Sequence, residues 1–273
     1  MIMEKASATG RGPARERHQQ LADWLRADGR VEVVQAAARL GVAPETVRRD
    51  LRAMEQHGRL VRVHGGAVPV QPAPATQLSG RPGPRYTGFG RRLWQQLPRQ
   101  GTLLIGTGAP ALGLAEAIAA DPPESDGLTV VTNFLDAAIV LSRSRSPRSA
   151  NLRVYNIGGT VSPHSGGQEG DWAISELNRL RTDISVVCAA GVSSTDGLTD
   201  HSPAGAAVSR AETLVGRRVI AIADASAAGK SAFVQFASID EIDELAFAGE
   251  VDDQQLRPFR ERGLPLMVAP EDD

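Results

Sequence analysis

From residue 86 onward, short runs of solidly apolar residues alternate with stretches of helical periodicity. The runs Thr102–Ile105, Leu128–Thr132, Leu152–Ile157, Ile184–Ala189, Arg218–Ala223, Glu244–Ala248 and Leu264–Val268 read as strands. The stretches Arg91–Leu97, Ala111–Ala119, Leu135–Ser142, Trp172–Leu180, Ala206–Val215 and Gln254–Arg262 read as helices. Strands that are apolar on both faces belong inside a sheet covered on both sides, and their alternation with helices predicts an α/β domain built on a mostly parallel sheet. Such sheets hold ligands beyond the carboxyl ends of their strands, over helix N-termini.

Residues 14–68 show another pattern. Ala14–Asp28 is helical, with Leu21, Trp24 and Leu25 on one face and Gly29 as its stop. Arg30–Val33 suits a short strand, Val34–Leu40 a compact helix, and Gly41-Val42-Ala43 a tight turn after it. Pro44 then opens a helix, where its missing N–H has no partner to lose. Val47, Leu51 and Met54 form its apolar stripe at i, i+4, i+7, with Arg48, Arg49 and Arg52 off that stripe. Gly58 ends it, and Leu60–Val63 runs as a strand into His64-Gly65-Gly66. An amphipathic helix with arginines is, alone, most often a solvated surface. In the order helix, strand, helix, turn, helix, ribbon it becomes a winged helix-turn-helix, whose second helix fits the DNA major groove.

Charge sharpens the division. Residues 14–70 carry ten Arg against seven Asp and Glu, and residues 71–273 carry 18 Lys and Arg against 24 Asp and Glu. A basic module beside a mildly acidic domain fits a double-stranded DNA partner for the first and something else for the second. The excess is modest, so DNA binding leans on a homodimer or homotetramer. The chain, 273 residues long, has room for two cores. It has no apolar run of membrane-spanning length and no secretory apolar stretch near Met1, and Cys188 is its one cysteine, which together predict a cytoplasmic protein without disulfides. Aromatic residues make up 4% and form no base-stacking platform. His57, His64, His164 and His201 lack metal-ligand spacing, so no metal or other cofactor is expected. Residues 1–13 read as a disordered tail and Val68–Arg85, rich in Pro and Gly, as an extended linker. The expected domains are therefore 14–68 and 86–270, with a linker over 69–85.

The strand ends supply the candidate chemistry of the larger domain. Gly106-Thr107-Gly108-Ala109-Pro110 is a glycine turn entering a helix, where the N–H groups of Thr107, Gly108 and Ala109 can meet an anion. Thr132-Asn133 can cap a helix or bind a ligand, and Gly158-Gly159 and Gly191 let backbone approach one. Asp224 can fix sugar hydroxyls or simply cap the Ala225-Ser226-Ala227 segment, and Lys230 is one of two lysines in the chain.

Arg17–Ala67, through GVAPETVRRDL and HGGA, resembles the N-terminal domain of the DeoR family of bacterial transcriptional regulators. Residues 88–270 resemble that family's C-terminal effector domain, through the turn at Gly108, LTVVTN at 128–133, IGG at 157–159, AAGVSSTDGLTD at 189–200, IAIADAS at 220–226 and IDEL at 242–245. The resemblance implies a fold shared with ribose-5-phosphate isomerase-like and CoA-transferase-like proteins. It implies a repressor that grips operator DNA through Pro44, Glu45, Thr46, Arg48, Arg49 and Arg52, with Arg62, His64 and Gly65 from the wing. It also implies release by a phosphorylated sugar or related metabolite.

Several positions depart from the family pattern. Ala43 replaces a capping Ser, removing a hydrogen bond worth roughly 1 kcal/mol. The first turn usually reads Asp-Ser-Gly-Thr-Thr, so Gly106 stands where a carboxylate is expected and Pro110 offers no N–H. Gly205 and Ser209 fall where Glu and Lys are usual, and Ala227 where another Lys is usual, with Lys230 three residues on. Losing two charge-assisted bonds weakens phosphate binding on the order of a hundredfold or more, which favours a less phosphorylated ligand or loss of sensing. Two other readings carry weight: a sugar-phosphate isomerase-like enzyme using Asp196, Asp200 and His201, and a regulator whose large domain only assembles. Without paired carboxylates at matching strand ends, the residues favour a regulator that is not an enzyme.

Overall fold

A computed structural model describes residues 14–28, 30–56, 60–63, 65–68, 83–125 and 127–269. The expected tail 1–13, Gly29, Gly58, His64 and most of the expected linker lie outside them. The chain divides into two compact units, Met1–Pro74 and Ala75–Asp273.

The first unit runs α1 (Ala14–Asp28), β1 (Val31–Glu32), α2 (Val33–Leu40), α3 (Pro44–Gln56), β2 (Val61–Val63) and β3 (Gly66–Val68). β3 lies between β1 and β2, antiparallel to both. β1 is shorter than expected because Val33 already belongs to α2, while its N–H bonds the Gly65 carbonyl at 2.9 Å. Gly41 closes α2 in the left-handed region at φ 63°, the conformation that favours glycine. Leu21, Leu25, Val33, Ala36, Val47, Leu51, Met54 and Leu60 form one apolar core. The stripe read from the sequence thus faces inward.

The second unit continues with α4 (Pro84–Gln96), β4 (Gly101–Ile105), α5 (Ala109–Ala120), β5 (Leu128–Thr132), α6 (Leu135–Ser142) and β6 (Leu152–Asn156). Then come β7 (Thr160–Val161), β8 (Gln168–Glu169), α7 (Asp171–Asn178), β9 (Thr182–Ala189), β10 (Gly191–Ser193) and β11 (Gly197–Asp200). The remaining elements are α8 (Pro203–Val215), β12 (Gly216–Asp224), β13 (Val234–Ala237), β14 (Glu244–Ala248), α9 (Asp253–Glu261) and β15 (Leu266–Ala269). Seven strands, each overlapping one of the seven expected runs, form a parallel sheet in the order β15-β14-β12-β9-β4-β5-β6. Leu103, Ile105 and Val130 point to one face, under Phe89, Leu93, Leu114 and Ile118 of α4 and α5. Leu104 and Val131 point to the other, under Ala173, Leu177, Val208 and Ala211 of α7 and α8.

Two features depart from the expected pattern. α4 starts at Pro84, seven residues earlier than Arg91 and inside the stretch read as linker. Gly88 and Gly90 lower helix propensity there, but Gly90 is where α4 meets α5. A Cβ on Gly90 would overlap the Gly113 carbonyl, and one on Gly113 would overlap the Tyr86 carbonyl. Tertiary packing of bare backbone against backbone therefore holds a helix that local propensity does not favour. The antiparallel pairs β7–β8 and β10–β11–β13 were also not expected. With two to four residues each, they are too short to show an alternation.

Candidate functional site

In the first unit, Arg48, Arg49 and Arg52 are exposed, as are Pro44 and Glu45, while Thr46 is half-buried. Arg48 pairs with Glu45 at 3.1 Å, one turn before it. Arg49 and Arg52 make no ion pair or side-chain hydrogen bond among the described residues. Arg62 on β2 is exposed but held by Glu55 of α3, with Nε 2.9 Å from the carboxylate and its backbone N–H donating to the same group. Gly65 is exposed beside it, with φ 79°. Asp50, which sequence reasoning did not single out, is 5% exposed on the inner side of α3. Arg17 of α1 grips it with two donors, at 2.8 and 3.1 Å, and His18 Nε2 lies 3.1 Å away. Burial alone would raise the Asp50 carboxyl, but hydrogen bonds from Arg17 and His18 outweigh it and hold the carboxyl below its ordinary value. The acid that follows Arg48 and Arg49 thus clamps α3 onto α1 and leaves the arginines outside.

In the second unit the candidate residues do not all come together. Thr107, Gly108 and Asn133 gather beyond the ends of β4 and β5, with Gln168 of β8, Cys188 of β9 and Glu212 of α8. Asn133, Gln168 and Glu212 are 2%, 7% and 1% exposed. The Asn133 amide donates to the Gln168 carbonyl at 3.4 Å, and the Gln168 N–H to the Asn133 carbonyl at 2.7 Å. Thr107 packs against Gly167, where a Cβ would come within 2.7 Å of its Oγ1. Four of their side-chain oxygens are buried without a hydrogen-bond partner: Thr107 Oγ1, Asn133 Oδ1, Gln168 Oε1 and Glu212 Oε2. Buried polar atoms are normally satisfied, so four in one place call for an outside partner.

Glu212 explains Gly106. A Cβ at Gly106 would lie 2.6 Å from Glu212 Oε2, so the helix carboxylate fills the space that a side chain on the turn would take. Burial, then the charge of Asp200, pushes the Glu212 carboxyl up to about 8, against the opposing Asn133 amide. Burial and Asp200 likewise raise Glu169, opposed by Ser162. Burial, then the charge of Glu212, raises the Cys188 thiol, which is met by the Ala111 N–H in the first turn of α5. Ala109, the first residue of that helix, is half-buried.

The other expected residues are engaged elsewhere. Thr132 Oγ1 donates to the Ile105 carbonyl at 2.7 Å and accepts from the Phe134 N–H at 3.0 Å, which makes it a structural cap. Gly158 has open space around it, and Gly159 packs against the Glu169 backbone. Gly191 packs against Thr199 and the Lys230 carbonyl, while the Lys230 side chain is exposed. Asp224 accepts from the Ser226 N–H at 2.9 Å and the Tyr86 hydroxyl at 2.8 Å, with Arg85 at 3.3 Å. Burial works against its ionised form, but the bonds from Ser226 and Tyr86 and the charge of Arg85 hold it below the ordinary carboxylate range. Sequence reasoning missed Gln168 and Glu212, because they lie on a two-residue strand and mid-helix, away from any strand-end motif. Among the described residues, no group of three or more His, Cys, Asp or Glu is placed to hold a metal ion, and no helix is long and apolar enough to cross a membrane.

A winged helix with an outward arginine face, on the same chain as an α/β unit with a buried polar site at its strand ends, defines a DNA-binding transcriptional regulator. The chain belongs to the DeoR family: residues 17–73 match the DeoR-like helix-turn-helix domain, and residues 89–247 match the DeoR C terminal sensor domain. It is 25% identical over 236 residues to the glycerol-3-phosphate regulon repressor of Escherichia coli, covering 84% of this chain and 88% of that one. It is 28% identical over 263 residues to the HTH-type transcriptional repressor GlcR of Bacillus subtilis, covering 94% and 97%. Among solved structures, ribose 5 phosphate isomerase A from Neisseria gonorrhoeae matches 55% of this chain and 54% of that one, at 12% identity and a TM-score of 0.36.

Proposed function

We propose that this protein is a cytoplasmic repressor that reads operator DNA with α3 and is released by a small carbohydrate-type metabolite held at the strand ends of the larger unit. The observation that carries the first half is the division of α3. Val47, Asp50, Leu51 and Met54 are spent on the scaffold, and Arg48, Arg49 and Arg52 are exposed. In this reading Thr46, Arg48 and Arg49 meet base edges and phosphates in the major groove, Arg52 adds a phosphate contact, and the ribbon around Arg62 and Gly65 lies on the backbone. His64 falls on the same ribbon tip in the sequence. A module this small buries limited DNA surface, so a homodimer or homotetramer on repeated half-sites is expected. The names of the repressors it resembles support the sign of regulation, and the four unpartnered oxygens support ligand control. The reading assigns 14–68 to DNA, 69–85 to a linker and 86–270 to sensing and assembly.

Arg49→Ala tests it. The variant should lose roughly 1–3 kcal/mol of operator affinity, seen as a right-shifted gel-shift curve on DNA footprinted upstream of the protein's own coding region. An unchanged curve at unchanged circular dichroism removes α3 from the interface.

A further inference from the structure

The strand-end site is built for hydrogen-bond donors. Asn133 Oδ1 and Gln168 Oε1 are acceptors without a partner, Thr107 Oγ1 takes either role, and Glu212 Oε2 accepts when ionised and donates when protonated. Asn133, Gln168 and Glu212 are each more than nine-tenths buried, and one backbone bond and one from the Asn133 side-chain amide tie Asn133 to Gln168. The charge felt by Glu212 and by Glu169 is that of Asp200, and no Lys or Arg contributes to either. The anion-attracting end of α5 is narrowed to the N–H groups of Thr107, Gly108 and Ala109. Cys188 takes the Ala111 N–H, its sulfur lies 2.7 Å from where a Gly108 Cβ would stand, and Pro110 has no N–H to give. Lys230, the nearby cation of the sequence motif, has an exposed side chain, and Asp224 is turned to Tyr86 and Arg85.

We propose that this site takes an uncharged polyhydroxylated ligand, a free sugar or sugar alcohol, and rejects the corresponding phosphate ester. The inference rests on the reading of the strand ends as the effector site. A hydroxyl both donates and accepts, so it satisfies Asn133, Gln168 and Thr107 and pairs with Glu212 in either protonation state. A phosphate dianion carries no donor, meets acceptors on two sides and sits beside the Asp200 carboxylate.

The test uses the full-length protein on its operator fragment, with two matched panels. One holds D-ribose, D-glucose, D-glucitol and glycerol, and the other ribose 5-phosphate, glucose 6-phosphate, glucitol 6-phosphate and glycerol 3-phosphate. Thermal melting and gel shift are read for wild type, Asn133→Ala and Glu212→Gln, the last keeping the shape of the side chain. Expected is a rise in melting temperature and a loss of DNA retention with at least one free sugar or polyol, weakened about tenfold or more in Asn133→Ala and kept in Glu212→Gln, whose amide still pairs with a hydroxyl. A response to phosphate esters alone that Asn133→Ala abolishes overturns the ligand class and leaves the effector site standing. Silence of both panels, or a response untouched by Asn133→Ala, overturns the site as well.

Discussion

Glu212 lies on α8, 1% exposed, with one carboxylate oxygen unpartnered and Asp200 as its charged neighbour. Its folded carboxyl titrates near 8 against an ordinary 4.5. In the span between, the native chain keeps a proton that the unfolded chain has released. Stability is therefore fully present below pH 4.5 and declines as pH rises toward 8, by roughly 4–5 kcal/mol in all. Glu212→Gln keeps the volume and hydrogen-bonding reach of the protonated acid but cannot ionise. The difference in unfolding free energy, variant minus wild type, should be near zero at pH 4.5 and grow by about 1.4 kcal/mol per pH unit toward pH 8. Urea unfolding followed by circular dichroism at pH 5, 6, 7 and 8 measures it. Glu169 and Asp136, also raised, are common to both proteins, so they cancel in the difference. Parallel pH profiles for variant and wild type would mean that Glu212 is solvated or already paired in the folded chain, and the account of the strand-end site would fail with it.

The bare contact between α4 and α5 predicts that Gly113→Val pushes the helices apart and lowers stability by about 2–3 kcal/mol; an unchanged urea midpoint would refute it. Asp50→Ala leaves Arg17 and His18 facing an emptied site and should cost the first unit about 3 kcal/mol, with loss of DNA binding that Arg49→Ala shows without any loss of fold. Because the Asp50 carboxyl is held below its ordinary value, the stability it contributes is present at neutral pH and disappears only as pH falls through that lowered value. Ala43→Ser should add a side-chain cap where the Ala43 carbonyl now receives the Thr46 N–H, raising the melting temperature of the first unit by an amount equivalent to about 1 kcal/mol.

Most of the architecture was readable in the linear pattern, because burial on both faces writes itself into continuous apolar runs. Leu128–Thr132 and Glu244–Ala248 appear with the expected bounds, and Leu135–Ser142 likewise among the helices. The stripe Val47, Leu51, Met54 placed the arginines outside because a helix repeats every 3.6 residues regardless of its packing partner. The strand-end motif at Gly106–Pro110 was legible as a turn, but the carboxylate that fills it was not. α4 starts earlier than its periodicity predicts, since its glycines look like a linker until Gly113 is set against them.

Periodicity, turn residues and charge bias are local, so the order of elements, the two units and the outward arginine face come from the chain alone. Which atoms share a site is another matter. Glu212 reaches Gly106 across more than a hundred residues, and Thr107 meets Gly167, through folding of the sheet and its helices. The unpartnered oxygens, the contact of Cys188 with the start of α5 and the engagement of Asp224 by Tyr86 are properties of that closure, because hydrogen-bond satisfaction depends on distances in space that sequence separation does not encode.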